Sequence, residues 1–188
     1  MRNPGFLVLA ALLALQGCAP VVVATGAGVA ALSATDRRTT GIQVEDQSIE
    51  LKVSNRISSK LGDQVHINVT SFNRNVLLTG EATSEALRAE AEKLAAAVEN
   101  VRMVTNEVAV AGISSYGSRS NDTYITSKVK ARFVDGGKFS PNHVKVVTEN
   151  GVVYLMGLVT RAEAEQATEI ARTTGGVRKV IKVFEYID

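Results

Sequence analysis

Side chains suited to meeting a charged surface are gathered in one short stretch. Between Asp122 and Phe133, Tyr124 and Lys128 stand four residues apart, Ser127 lies beside them, and Lys130 and Arg132 follow. On a helix, positions i and i+4 are neighbours. An aromatic ring beside ammonium groups is fitted to headgroup depth at an anionic membrane, where each cation contributes about 1 kcal/mol. The same short pattern also describes an ordinary solvated helix face carrying one tyrosine. No reaction centre is legible elsewhere. His66 and His143 hold equivalent places at the starts of two expected strands and have no evident general-base partner, which points to structural roles. Glu163, Glu165 and Glu169 read as a solvated helix face, and no lysine follows Gly26 and Gly28 at phosphate-loop spacing. No enzyme, cofactor or metal site is therefore expected.

The single cysteine, Cys18, excludes an internal disulfide and supplies too few thiolates for a zinc site. Its setting suggests another use. Arg2 precedes a continuous apolar run from Phe6 to Leu15, the layout of a secretory signal. The run ends in Leu15-Gln16-Gly17-Cys18, which resembles a bacterial lipobox. That likeness implies cleavage after residue 17 and acylation of Cys18, palmitate included. Ala19 resembles the sorting pattern of the outer membrane. Several acyl chains would anchor stably, since each buried methylene contributes about 0.8 kcal/mol. Residues 20–34 are again apolar, but at 15 residues they fall short of the roughly 20 that span a bilayer. They are expected to lie near the anchor or to pack on a partner.

The elements that must position Tyr124 and its neighbours emerge from an internal repeat. Asp46, Ile49, Lys52, Val53 and Arg56 match Asp122, Ile125, Lys128, Val129 and Arg132 at an offset of 76. His66, Val69, Val76, Leu78, Gly80 and Thr83 match His143, Val146, Val153, Leu155, Gly157 and Thr160 at an offset of 77. In each copy a helix (about 46–61 and 122–135) is expected to open at Asp46 or at Asn121-Asp122, residues suited to N-capping. Its apolar stripe, Ile125, Val129 and Phe133 in the second copy, has core-facing spacing. An alternating strand follows and a turn leads to a second strand, the turn in the second copy being Asn150-Gly151, a strong hairpin signal. Gly80 and Gly157 suggest a bend or a close approach of the helix. Thr83 and Thr160 are expected to cap an Ala-rich second helix, ended in the second copy by Gly175-Gly176, before a last strand.

The result is an α+β fold class, two tandem αββαβ domains, each a three-stranded mixed sheet packed against two helices. The expected boundaries are 1–17 signal, 18–43 lipidated tether, 44–110 first domain, 111–120 Gly/Ser-rich linker and 121–188 second domain. The net charge of +2 argues against a nucleic-acid binder, yet it hides an asymmetry. Residues 45–110 hold seven Lys/Arg and ten Asp/Glu, net −3, whereas residues 121–188 hold ten and eight, net +2. Only the second copy suits an anionic surface.

The run Gly151-Val-Val-Tyr-Leu-Met-Gly157, with its echo Val76-Leu-Leu-Thr-Gly80, resembles the core of a BON domain. The start Asn121-Asp-Thr-Tyr-Ile-Thr-Ser-Lys128 resembles the second domain of the dual-BON outer-membrane lipoproteins of the DolP type. That resemblance implies a lipid-anchored protein facing the periplasm, a role in envelope integrity at the division site, and recognition of anionic phospholipid such as phosphatidylglycerol. It carries the phospholipid contact onto Tyr124, Ser127, Lys128, Lys130 and Ala131. The family often places Trp where this chain has Tyr124. The alternative is a periplasmic scaffold binding outer-membrane assembly or division proteins, through the Gly-Ala segment after Cys18 and the acidic first domain.

Overall fold

A computed structural model describes residues 36–112 and 116–188. Cys18, the apolar run before it and the segment at 20–34 lie outside the described residues. Both copies of the repeat fold as α+β units. The first comprises α1 (Thr40–Leu61), β1 (Val65–Phe72), β2 (Asn75–Ala82), α2 (Glu85–Ala96), β3 (Met103–Asn106) and β4 (Ala109–Val110). The second comprises α3 (Tyr116–Gly136), β5 (Val144–Glu149), β6 (Val152–Val159), α4 (Arg161–Arg172) and β7 (Lys179–Tyr186). In each, an antiparallel hairpin is extended by a parallel last strand. In the first copy that strand is broken into β3 and β4, both paired with β2.

The helical stripes bury as their spacing requires. Ile49, Val53, Ile57 and Leu61 pack with β2 and with Ala91 and Ala95 of α2. Ile125, Val129 and Phe133 pack with Val153, Leu155 and Ala164, Ala167 and Ala171 of α4. Alanine on the second helix lets it lie close to the first and to the sheet.

The helix starts differ from those expected, for a tertiary reason. Asp46 and Asp122 are not N-caps. Helix α1 begins six residues before Asp46 and is capped by Thr39, whose hydroxyl accepts the Ile42 amide at 3.3 Å. Asp46 is buried inside the helix and accepts from Ser71 Oγ at 2.7 Å and from the Asn73 and Arg74 amides at 2.8 and 2.7 Å. Asp122 likewise accepts from the Asn150 and Gly151 amides, both at 2.8 Å. Each carboxylate thus holds the tip of its own hairpin. Both central residues of each tip have positive φ, 52° and 63° at Asn73 and Arg74, 49° and 73° at Asn150 and Gly151. That is the backbone of the two-residue hairpin turn matching sheet twist.

Four smaller expectations also change. Ser84, not Thr83, caps α2, its Oγ accepting from the Leu87 amide, whereas Thr160 caps α4 in a full capping box with Glu163. Helix α4 ends at Arg172, before the two glycines. At Gly80 and Gly157 the close neighbour is backbone, not a helix: a Cβ there would stand 2.0 Å from the His66 carbonyl oxygen and 2.3 Å from that of His143. Helix α3 also reaches back to Tyr116, into the Gly/Ser-rich stretch at 111–120.

The helix-free faces of the two sheets pack on each other. Phe72 and Leu77 from the first copy meet Tyr154 and Met156 from the second, with Val147, Ile181 and Val183 around them. Burial at this seam pushes the Tyr154 hydroxyl up to about 12, with Glu107 and Glu149 adding to the effect. Polar pairs ring the seam: Lys145 Nζ to Glu50 at 2.8 Å, Asn68 to Glu149 at 2.8 Å and Asn150 to Glu81 at 2.9 Å.

Candidate functional site

Helix α3 buries one side and offers the other to solvent. At 100° per residue, Tyr124, Ser127, Ala131 and Val134 fall within about a quarter of the circumference, opposite the core stripe. All four are exposed, Tyr124 at 63% and Val134 at 65%. Lys128 borders this strip on one side and Lys130 on the other. Asp135 stands exposed at its C-terminal end.

The structure brings together the residues singled out from the sequence, with distinct parts. The Lys128 ammonium lies 4.8 Å from the centre of the Tyr124 ring and donates to the Gly175 carbonyl. It is therefore tied to the loop after α4, and its contact with the ring face limits how Tyr124 can turn. Ser127 Oγ donates to the Thr123 carbonyl at 3.0 Å, satisfying its hydroxyl within the helix. Ala131 is exposed and small, so Tyr124 and Val134 stand proud of it. Lys130 is exposed and has no acidic partner among the described residues. Arg132 belongs to the fold instead, donating to the Ile170 carbonyl at 2.9 Å and to Thr174 Oγ1 at 2.8 Å.

Val134 escaped the sequence reading. It follows Phe133 directly and is out of phase with the Ile125–Val129–Phe133 stripe, so its apolar character cannot serve the core. That phase mismatch was the available signal. In the first copy the equivalents of Tyr124, Ala131 and Val134 are Ser48, Asn55 and Ser58, all polar.

Glu163 is not part of a solvated face. Its carboxylate accepts a forked pair from Arg37 at 2.6 and 3.0 Å, the Thr160 amide at 2.8 Å, and lies 3.2 Å from His143 Nδ1. Burial alone would raise this carboxyl, but the Arg37, Thr160 and His143 contacts outweigh it and hold it at about 2. His143 sits in the short 3-10 turn Pro141–His143 before β5 rather than in the strand. Among the described residues no three His, Cys, Asp or Glu side chains converge as a metal site. None of the described helices is long and apolar enough to cross a membrane.

A family model described as "BON domain" matches residues 45–112 and again 121–188. The chain is 40% identical over 184 residues to "Outer membrane lipoprotein DolP" of Haemophilus influenzae, covering 97% of this chain and 95% of that protein. It is 37% identical to the "21 kDa hemolysin" of Actinobacillus pleuropneumoniae, covering 81% of this chain and 79% of that one. It is also 32% identical to "Osmotically-inducible protein Y" of Escherichia coli, covering 84% and 87%. With both folded units matched by one model, in the order the repeat dictates, the chain belongs to the BON-domain family and carries two of its domains in tandem.

Proposed function

We propose that this chain is a non-enzymatic outer-membrane lipoprotein facing the periplasm, which docks its second domain on anionic phospholipid such as phosphatidylglycerol. Its likeness to an outer-membrane lipoprotein over nearly the whole chain supports the location, and the lipobox-like Leu15 to Cys18 supports acylation as the tether. The observation that carries the lipid reading is the strip on α3. Two large apolar side chains, Tyr124 and Val134, stand exposed on one side of a helix between two lysines. An apolar strip flanked by cations is the arrangement that settles at a headgroup boundary. The acyl anchor supplies residence, while the weak headgroup contact selects particular membrane patches. Support of envelope integrity at the division site is the role that follows.

The test uses a Cys18→Ala chain, which has no acyl anchor, with phosphatidylglycerol vesicles. Tyr124→Glu is expected to abolish sedimentation with the vesicles and the lipid-induced shifts along α3, with no change in amide dispersion. Unchanged shifts in the variant would sink the reading.

One observation favours a second reading. Val44 and Leu51 stand 61% and 65% exposed seven residues apart on α1, a pair suited to a protein partner in outer-membrane assembly or division. Site-specific cross-links from α1 to a membrane protein, with a lipid-blind second domain, would favour that scaffold.

A further inference from the structure

The repeat relates the two domains, but the polar contacts across their seam do not repeat with it. On one side of the seam, Lys145 of β5 reaches into the first domain. Its ammonium donates to Glu50 Oε1 at 2.8 Å and to the Ser71 carbonyl at 3.4 Å, and Glu50 also accepts the Ser71 amide at 2.8 Å. At the repeat offsets the counterparts of Lys145, Glu50 and Ser71 are Asn68, Thr126 and Thr148. There the long cation is an amide and the carboxylate is a short hydroxyl. Thr126 Oγ1 turns to Thr148 Oγ1 at 2.7 Å, and Asn68 Nδ2 turns to Glu149 Oε2 at 2.8 Å. The space that Lys145 and Glu50 fill on one side is left open on the other. It is a cleft of about 510 Å³ between β1 of the first domain and α3 and β5 of the second.

The walls of this cleft are chemically mixed. Deep in it lies Glu149, a buried carboxylate, whose second oxygen accepts no side-chain or turn hydrogen bond among the described residues. Burial raises this carboxyl, and the nearby Glu81 and Asp122 raise it further, against the Asn68 hydrogen bond and His66. A buried carboxylate so placed gains from a cationic donor. The hydroxyls of Thr126 and Thr148 line the cleft with it, as do Asp122, Arg119 and the exposed Lys130. Carboxylates (Glu149, Asp122) and cations (Arg119, Lys130) on the same walls complement a zwitterionic ligand that carries an ammonium and a phosphate.

We propose that the cleft binds the phosphoethanolamine headgroup of a phospholipid. The ammonium takes the place that Lys145 Nζ holds in the twin site, donating to Glu149 and the threonine hydroxyls, and the phosphate meets Lys130. Lys130 also borders the apolar strip of α3, so the cleft opens beside the face assigned to the membrane. That the headgroup arrives on a lipid rests on the docking reading above; the ammonium recognition does not.

The experiment uses the isotope-labelled full chain in phosphatidylglycerol nanodiscs, titrated with glycerophosphoethanolamine. Amide shifts are expected at Asn68, Thr126, Thr148 and Glu149. Glycerophosphocholine, which has no N–H to donate, is expected to bind at least tenfold more weakly, and glycerophosphoglycerol to leave these amides unmoved. Asn68→Lys together with Thr126→Glu installs the twin's ion pair in the cleft. It is expected to weaken glycerophosphoethanolamine at least tenfold while the amide spectrum elsewhere stays dispersed. Tyr124→Glu is expected to remove the lipid-dependent shifts along α3 and leave the headgroup titration intact, which separates failure of the docking reading from failure of the cleft. Nanodiscs containing phosphatidylethanolamine should shift the cleft amides without added headgroup. Absence of cleft shifts, equal response to all three headgroups, or full binding by the filled-cleft variant would overturn the proposal. A response to the soluble headgroup with none to the lipid would overturn the lipid as its source.

Discussion

Asp46 and Asp122 show what one buried carboxylate can do for a hairpin. Each lies inside a helix and accepts two turn amides from the tip of the hairpin beside it. Removing the acceptor strands buried donors, a cost of roughly 1–3 kcal/mol for each group left unsatisfied. Asp122→Ala is therefore expected to lower stability by about 2–4 kcal/mol, and Asp122→Asn by less because an amide oxygen still accepts; urea denaturation measures both. Glu163 adds a pH dependence of known sign. Its folded carboxyl, at about 2, lies below the ordinary 4.5, so its contribution is complete above about 4.5 and is lost as the pH falls toward 2. Denaturation followed across that window should show the loss, and Arg37→Ala should flatten it. Neither role was legible from spacing. An aspartate just before an apolar stripe has the local signature of an N-cap, and only a hairpin distant in sequence reveals that its carboxylate is engaged elsewhere. Glu163 read as solvated because Arg37 lies 126 residues away.

At the scale of elements, α1 and α3 share a core face and differ on the outside. The shared face was legible, since Ile49–Val53–Ile57 and Ile125–Val129–Phe133 keep helical spacing and both are buried. The hairpin at Asn150-Gly151 and the cap at Thr160 were legible for the same reason: local chemistry determines them. Helix length was not. Helix α3 extends into residues whose Gly/Ser content suggests a linker, since intrinsic propensity is only a weak prior. The outer face was half legible: Tyr124 and the lysines drew notice, while Val134 did not. Val134 sits 65% exposed beside the strip, so Val134→Glu should leave the fold intact. It should weaken phosphatidylglycerol binding by the Cys18→Ala chain, by less than Tyr124→Glu does, in vesicle co-sedimentation.

At the scale of the whole molecule, the seam between the sheets governs behaviour. The apolar run Val152 to Val159 has hydrophobic residues on both strand phases, the signature of a strand buried on two sides. One phase, Val153 and Leu155, faces the helices, and the other, Tyr154 and Met156, meets Phe72 and Leu77. The run was visible in the sequence, but what covers its second face was not, since that depends on two distant segments meeting. The opposite charges of the copies, −3 and +2, favour the pairing over longer range. Leu77→Asp places an unpaired charge in the seam while leaving each helix-facing core untouched. It is expected to let the domains tumble separately, read as shorter rotational correlation times in NMR relaxation at near-native amide shifts.

The short segment entering α1 has a mechanical consequence. Arg38 grips the first domain through Asp46 at 2.9 Å and the Phe72 ring at 3.8 Å, and Arg37 grips the second through Glu163 and the Leu158 carbonyl. If the chain is tethered at Cys18 as proposed, tension arriving along it would enter both domains at adjacent residues and be divided between them. Such a junction would load the domains in parallel, so a pull on the proposed anchor would meet their combined resistance before α1 begins to peel.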